Sequence, residues 1–510
     1  MPNRCAIRPL GRRIFTLVLT GRIGVNQRTG LHPARLPIIG VVLILAASSA
    51  TLFADALTPY YSVTLSGATG VVTRVSDNAT VYSNTNHQAA IQYAIDNLPA
   101  GRTSRARVSL TGDFVANKTI LIPSYTSIQL AGSVTLTTNA NTILIGQKTP
   151  TTGNTQIEMI GGTYDGNNYS ASNSIDALNF KKVTYSDFHG FTVQNYSGDG
   201  FVLDTGSLSN NCSELVGQFS GNGNGLGDRG DFNTWSNCLA AYTVSDGWVV
   251  KCRNSTFTRC VAKGGLGGAG FGFFCDRLIS SNNFFDCEVS GWNGRSVSLR
   301  KPTDTTKGPD PVMGNYMEFY IHNSGVTGSA DGDQSGLKLW SSRDAINGLE
   351  LIRSNQVQLL TVSNYQYGFR IQDTNVSNTT GTIVAFGNTI DAQVEGHHNT
   401  LTFLAPNTNS VSILKAGFSN NITIRNITPA DATNSWAVRK YYELFSGPPT
   451  LNVGVTNNQL IISWTAANYI LQSNPSLTNP SAWNAVAGSS NSPTILKADK
   501  NVEFFRLIKP

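Results

Sequence analysis

Two aspartates stand in the same local setting at two places in the chain: Asp199 in "SGDGFVLD" and Asp246 in "VSDGWVVK". Each precedes a glycine that opens a short stretch of alternating apolar residues. A pair of carboxylates can hydrolyse a glycosidic bond, one protonating the leaving oxygen while the other activates water. Asp228 and Asp231 fall between them and can complete a cluster. Lys251 closes the second stretch and offers a different chemistry. As a base it, or Arg229, would take the proton beside a uronate carboxylate while a neighbouring cation neutralises that group, which is β-elimination. Asp-Gly before a strand is also ordinary turn chemistry, so each aspartate taken alone has a structural reading.

The spacing of the glycines says what must position these groups. Gly200, Gly225, Gly247, Gly270 and Gly294 lie 25, 22, 23 and 24 residues apart. Self-similarity at such a period marks a solenoid whose units bury their faces against each other. Short strands with no helix in the unit fit one turn of a parallel β-helix. The L-x-x-L-x-L frame of a leucine-rich repeat is missing. Equivalent residues of successive turns then stack about 4.8 Å apart, which puts Asp199 and Asp246 roughly 9.6 Å apart, near the upper end for inverting glycosidases.

Strand alternation assigns the faces. Phe201/Leu203, Trp248/Val250/Cys252 and Phe271/Phe273/Cys275 point inward. Val202/Asp204, Gly227/Arg229, Val249/Lys251 and Gly272/Phe274 point outward. If the strand after Gly294 starts one residue late, Ser298/Arg300 join them, followed by Lys338/Trp340 and Arg370/Gln372. The outer column reads Asp204, Arg229, Lys251, Phe274, Arg300, Trp340, Gln372. Aromatic faces stack on sugar rings, and Arg and Lys pair with carboxylate or sulfate. The expected substrate-binding residues are therefore Asp204, Arg229, Phe274, Arg300, Lys338, Trp340 and Arg370, and the expected catalytic ones Asp199, Asp246, Asp228 and Lys251. The bland alternative is an ordinary polar sheet exterior.

Composition agrees with an all-β fold. Charged residues make up only 13% and glycines number 49, which suits short strands and turns rather than long helices. "HQAAIQYAIDNL" (His87–Leu98) has a helical stripe and precedes the strand series, as a cap would. Weaker strand units run on to about Thr428, and the Pro- and Gly-rich segment Lys301–Asn315 loops out. Six of the seven cysteines lie between Cys212 and Cys287. They read as an internal ladder of small apolar thiols, with disulfides or a metal site as the alternatives. No His/Cys cluster has zinc spacing. The net charge of +6 comes from scattered Lys and Arg, and no basic block suggests a nucleic-acid partner.

Residues 1–56 read as an export leader. Basic residues precede the apolar run Leu36–Ala56, which ends in the small-x-small pattern Ala54-Asp55-Ala56. A membrane anchor is the alternative, and a misassigned start codon would explain the leader's length. Once the leader is cleaved, a secreted, periplasmic or cell-surface location with no membrane insertion is expected. Residues 57–440 form the β-helix. Residues 446–510 alternate like a small β-sandwich with turns at Asn457-Asn458 and Pro475–Pro480.

The helical cap, "ILIPSYTSIQLAG" (Ile120–Gly132), "GGTYDGNN" (Gly161–Asn168) and the repeat together resemble the pectate-lyase-like superfamily of right-handed parallel β-helix proteins, most of all its polygalacturonase branch. The resemblance covers roughly residues 80 to 430. It implies secretion, a groove along one parallel sheet, and cleavage of an acidic polysaccharide. Asp199 falls where that branch has the last Asp of N-T-D-G, but Asn222 and Asn224 stand at its paired Asp, G-H-G is missing, and R-I-K is only echoed by Arg370-Ile371-Gln372. Hydrolysis is thus the leading expectation, elimination the second (with Ca2+ as the one cofactor it would bring), and non-catalytic glycan binding or adhesion the third. A monomer or a homotrimer fits the fold. The terminal "ISW…Y.LQS" region resembles fibronectin-type modules of secreted bacterial proteins, which implies attachment or spacing.

Overall fold

The computed structural model describes residues 57–445, apart from 138–141, 168–173, 275–276, 301–309, 326–333, 341–350, 363–364, 373–374, 407–412 and 416, together with the strands 452–456, 459–463, 470–474, 484–486, 494–497 and 504–508. The proposed leader, most of the loop at Lys301–Asn315, Cys275 and the turns at 457–458 and 475–480 lie outside the described residues.

The repeat period becomes a coil with three strands per turn. In one turn Phe201–Asp204 is followed by Asn211–Ser213 and Val216–Ser220. Each strand pairs in parallel with its copy in the next turn: Phe201 with Leu226, Cys212 with Trp235, Val216 with Leu239. The first strands of successive turns make a twelve-stranded parallel sheet. We number them β1 (Ile120–Ile122), β2 (Ile145–Gln147), β3 (Leu178–Lys181), β4 (Phe201–Asp204), β5 (Leu226–Asp228), β6 (Trp248–Val250), β7 (Ala269–Phe274), β8 (Arg295–Arg300), β9 (Ser335–Trp340), β10 (Tyr367–Ile371), β11 (Ile390–Val394) and β12 (Ile413–Lys415). In the later turns the second and third strands fuse into single longer ones, such as Tyr316–His322 and Gln356–Val362.

Corners are made by residues in the left-handed region. Glu214, Asn237, Arg259 and Asp286 stack at one corner with φ between 51° and 57°. That conformation disfavours L-residues. Here the continued hydrogen-bond ladder offsets it, since each corner N–H donates to the next turn, for example Glu214 to the Ser236 carbonyl at 2.9 Å. A second corner carries a buried amide ladder. Asn210 donates to Asn233, and Asn282 to Asn315 to Asn355, through side-chain bonds of 2.9–3.1 Å.

The coil interior is apolar and aromatic. Trp248 stacks on Phe271 at 5.5 Å, and Phe257 on Phe284 at 4.5 Å. Cys238, Cys260 and Cys287 follow one another at one corner, each buried as a free thiol. Cys212 departs from the expected ladder. It pairs with Trp235, one column over, because it lies within its strand while the other three sit at or beyond the corner. Burial raises the thiols of Cys212, Cys238, Cys252 and Cys260.

The first turn is capped as the helical stripe predicts. Helix α1 (His87–Asp96) is opened by Asn86, whose side chain accepts the Ala89 N–H, and it buries Ala90, Ile91, Ala94 and Ile95. It ends two residues before the expected Leu98 because Asn97 caps it, donating to the Tyr93 carbonyl at 2.8 Å. A second helix, α2 (Trp436–Phe445), was not legible in the sequence. Trp436, Ala437 and Val438 of α2 are buried, and Lys440 pairs with Asp286 at 2.9 Å. Among the described residues no helix is long and apolar enough to cross a membrane.

The described C-terminal strands form two antiparallel sheets. Asn452–Thr456, Gln459–Ser463 and Thr494–Lys497 make one, with Gln459–Ser463 central. Asn484–Ala485, Ile470–Asn474 and Phe504–Ile508 make the other, with Ile470–Asn474 central.

Candidate functional site

The outward face of the twelve-stranded sheet carries three columns. The central one runs Asn179, Val202, Gly227, Val249, Gly272, Ser298, Lys338, Arg370, Gln393 in successive register. The column at the C-terminal strand ends is Lys181, Asp204, Arg229, Lys251, Phe274, Arg300, Trp340 and Gln372. Lys181 pairs with Asp204, and Phe274 with Arg300 and then Trp340. Arg229, Lys251 and Gln372 follow through backbone bonds of 2.8–3.1 Å to the preceding strand. The sheet thus brings together Asp204, Arg229, Lys251, Phe274, Arg300, Lys338, Trp340 and Arg370 on one face, with β8 shifted by two residues relative to Gly294 rather than the expected one, since only an even shift keeps Val297 and Leu299 inside.

At the N-terminal strand ends runs a third column, and it holds the two aspartates. The Asp199 N–H donates to Asp176 Oδ1 at 2.8 Å. Asn224 donates its N–H and Nδ2 to Asp199 Oδ1 at 3.0 and 2.6 Å. The Asp246 N–H donates to Asn224 Oδ1 at 3.0 Å, and Ala269 N–H to Asp246 Oδ1 at 2.5 Å. Asp176, Asp199, Asn224 and Asp246 are one continuous ladder. Asp176 escaped the sequence reading, although it precedes β3 and stands 23 residues before Asp199, one period away. Asn224 was read only as a departure from a motif; it is the rung that links the two aspartates.

Cations on the opposite strand ends reach across the sheet to these carboxylates. Arg229 Nη2 meets Asp199 Oδ2 at 2.5 Å, and Arg300 Nη2 meets Asp246 Oδ2 at 3.0 Å. The Asp246 carboxylate lies over Gly272, where a Cβ would come within 3.0 Å of its carboxyl carbon, so the small central residue makes room for it. Asp246 is 1% exposed. Burial raises its proton affinity above that of an ordinary carboxylate, with Arg300 acting in the opposite sense. Asp176 is raised too, by burial first and by Asp199 second.

Two expectations need correction. Asp228 does not join the cluster. It occupies the inward position of β5, between Leu203 and Val250, and is fully buried. There it accepts Trp235 Nε1, Asn233 Nδ2 and the Gly230 N–H, each at 2.9 Å, and burial raises it. Asp231 lies on another side of the coil, paired with Arg253 at 2.5 Å. The aromatic rings are not bare platforms either. Arg300 and Lys251 lie over Phe274 at 4.2 and 5.0 Å, Lys338 and Arg295 over Trp340 at 4.3 and 5.7 Å, and Arg370 over Tyr367 at 4.3 Å. The rings seat the cations, because a cation is drawn to the negative face of an aromatic ring. Asp204 is occupied locally. Burial works to raise it, but the Thr205 N–H, Arg229 and Lys181 outweigh that and hold it below the ordinary range.

Arg277 is a further cation at this edge that the sequence did not single out. It donates to the Arg229 carbonyl and, at 3.4 Å, to Thr205 Oγ1. Among the described residues no group of three or more His, Cys, Asp or Glu is arranged to hold a metal ion.

No protein-family model and no curated protein matches the sequence. Solved structures do match. Pre-mature gene product 12 of bacteriophage phi29 superposes with a TM-score of 0.51 at 14% identity, over 67% of this chain and 50% of that one, so the chain spans half that protein's length. The A-module of a mannuronan C-5 epimerase of Azotobacter vinelandii gives 0.48 at 14% identity, over 68% and 96% of the two chains. The Dettilon tailspike protein gives 0.48 at 11%, over 78% and 76%. The coil geometry and the superposition on gene product 12 together place this chain among the right-handed parallel β-helix proteins.

Proposed function

We propose that the chain is a secreted carbohydrate-active protein that lays an anionic polysaccharide along the outward face of β4–β10 and hydrolyses it with Asp246 and Asp199. One observation carries the reading. Five cations, Arg229, Lys251, Arg300, Lys338 and Arg370, share that face with a carboxylate ladder, and two of them hold the two candidate carboxylates. Cations set in register along a parallel sheet suit a polymer with regularly spaced negative groups better than a small neutral ligand.

The roles follow from the environments. Asp246 is the buried carboxylate with raised proton affinity, so it serves as the acid that protonates the leaving oxygen. Asp199, two turns away and linked through Asn224, serves as the base that directs water. An anionic group on the substrate competes with Asp246 for Arg300. Drawing Arg300 away removes the influence that lowers Asp246 and so raises its proton affinity further. The likeness of "SGDG" to the polygalacturonase motif at Asp199 supports hydrolysis.

Elimination is the second reading. It is favoured by Lys251 standing between Arg229 and Phe274 in the cation column, where a base and a neutralising cation are adjacent. Incubation with pectin, alginate and sulfated algal glycans separates the two. Reducing ends without ultraviolet-absorbing unsaturated products support hydrolysis; unsaturated ends identify elimination; a chain that binds none of these polymers ends the proposal.

A further inference from the structure

The cation column changes character at β8 and β9. On β8 three outward residues carry donors: Arg295 at the start, Ser298 in the centre and Arg300 at the end. Lys338 follows Ser298 in the central column on β9, and Trp340 follows Arg300. Arg295 reaches over the sheet to lie above Trp340, and Lys338 lies above the same ring from within its own strand. Arg300 leans the other way, over Phe274 and onto Asp246. Two cations therefore share one ring, and a third flanks that ring in register from the end of β8.

Beneath them the floor is polar and buried. Ser298 is 0% exposed and Lys338 1%, while Arg300 and Trp340 remain part-exposed and form a rim. Among the described residues the Ser298 Oγ is buried with no hydrogen-bond partner, and so is Arg300 Nε. Buried polar atoms are nearly always satisfied, because an unmade bond costs the full desolvation of the group. An unpartnered hydroxyl and an unpartnered guanidinium nitrogen in one outward-facing cluster mark a place for an acceptor that no described residue supplies.

The arrangement of donors says which acceptor. A carboxylate is planar and is matched by a single Arg fork. Here the donors come from different directions: a guanidinium from each end of β8, an ammonium from β9, and a hydroxyl from the sheet below. That set suits a tetrahedral oxyanion with three terminal oxygens. We propose that Arg295, Ser298, Arg300 and Lys338 form a subsite for a sulfate ester on the polysaccharide, and that this subsite sets the preference for sulfated over uronate chains. The inference rests on the polysaccharide reading above and names its substrate class.

The test is calorimetric titration of the full chain with a sulfated galactan, the same galactan after desulfation, and polygalacturonate. The expected result is tightest binding to the sulfated chain. Desulfation should weaken binding about tenfold or more, the loss of charge-assisted bonds. Ser298→Ala should weaken binding of the sulfated galactan about 5-fold and Arg295→Gln about 10- to 30-fold, with polygalacturonate binding changed less than about 2-fold. Lys148→Gln, at an exposed cation paired with Asp96, controls for net charge and should change nothing. Ser298→Ala removes one oxygen and leaves the packing intact; a matching thermal melt verifies its fold. If polygalacturonate binds as tightly as the sulfated chain, or if both variants weaken the two polymers alike, the sulfate subsite is overturned while the polysaccharide groove stands. If neither polymer binds, both are overturned.

Discussion

Asp246 and Arg300 meet across two turns of the coil. The guanidinium of Arg300, at the end of β8, donates to both oxygens of Asp246 at 3.0 and 3.3 Å, while Asp246 itself sits just before β6. The pair spans the sheet face rather than running along it, and it ties the carboxylate ladder on one side to the cation column on the other.

Removing one partner isolates this link. Arg300→Met should destabilise the fold by about 2–4 kcal/mol, because it leaves a buried carboxylate without its cation. Asp246→Asn should cost less, about 1–2 kcal/mol, since the amide keeps an acceptor for the Ala269 N–H. Urea unfolding of both variants checks the order; equal small losses would show that the pair is solvated and structurally idle.

Asp228 gives a pH signature. Burial raises its affinity for a proton above the ordinary value of 3.8. Between that value and the raised one, the native state binds more protons than the unfolded chain, so stability falls as pH rises through the window and levels off above it. Asp228→Asn lacks this dependence. The stability advantage of the natural chain over the variant should therefore shrink from about pH 4 upward. An advantage that grows over the same range would mean that the three donors around Asp228, not its burial, dominate.

The amide ladder is a separate stabilising device. Asn282 is fully buried, donates to Asn315 and to the Cys252 carbonyl, and accepts the Ser255 N–H at 2.9 Å. Asn282→Ala leaves several of these groups unpaired and should cost about 2–4 kcal/mol. The exposed Asn211, which donates to Asp187 at 2.9 Å, provides the contrast: Asn211→Ala should cost under about 1 kcal/mol. Comparable losses at the two sites would argue against the ladder.

The thiols offer a chemical test. Cys212, Cys238, Cys252, Cys260 and Cys287 are free and buried out of a reagent's reach, and in the first four burial works against the thiolate form that reacts. A thiol reagent should leave all five unmodified in the native chain and label them once the chain is unfolded, read by peptide mass spectrometry. Rapid labelling at Cys238 or Cys260 in the native state would contradict the stacked interior.

The sequence laid out the scaffold in detail. Glycine spacing and two-residue alternation were enough to order the outer column from Asp204 to Trp340, though β8 is shifted by two residues and not one, because a parallel coil turns period directly into stacking. The errors arose where a residue type suggested chemistry more strongly than its position allowed. Alternation already puts Asp228 on the inner side with Leu203 and Val250, yet its carboxylate invited a place in the cluster. Asp176 was passed over because no glycine follows it, although its period matches. The contacts of Phe274 and Trp340 with cations were not legible, because they depend on which way long side chains lean from neighbouring turns, and one-dimensional spacing does not carry that direction.

The central claim is that the cation-lined face binds an anionic polysaccharide and that Asp246 is the acid that breaks it. The most direct measurement sets turnover and binding side by side for the natural chain and Asp246→Asn, using a polymer the natural chain cleaves. Loss of the acid should lower release of reducing ends by about 100-fold or more while leaving the dissociation constant within about 3-fold. Unchanged turnover in Asp246→Asn, with the polymer still bound, would contradict the account and return Asp246 to a purely structural rung of its ladder.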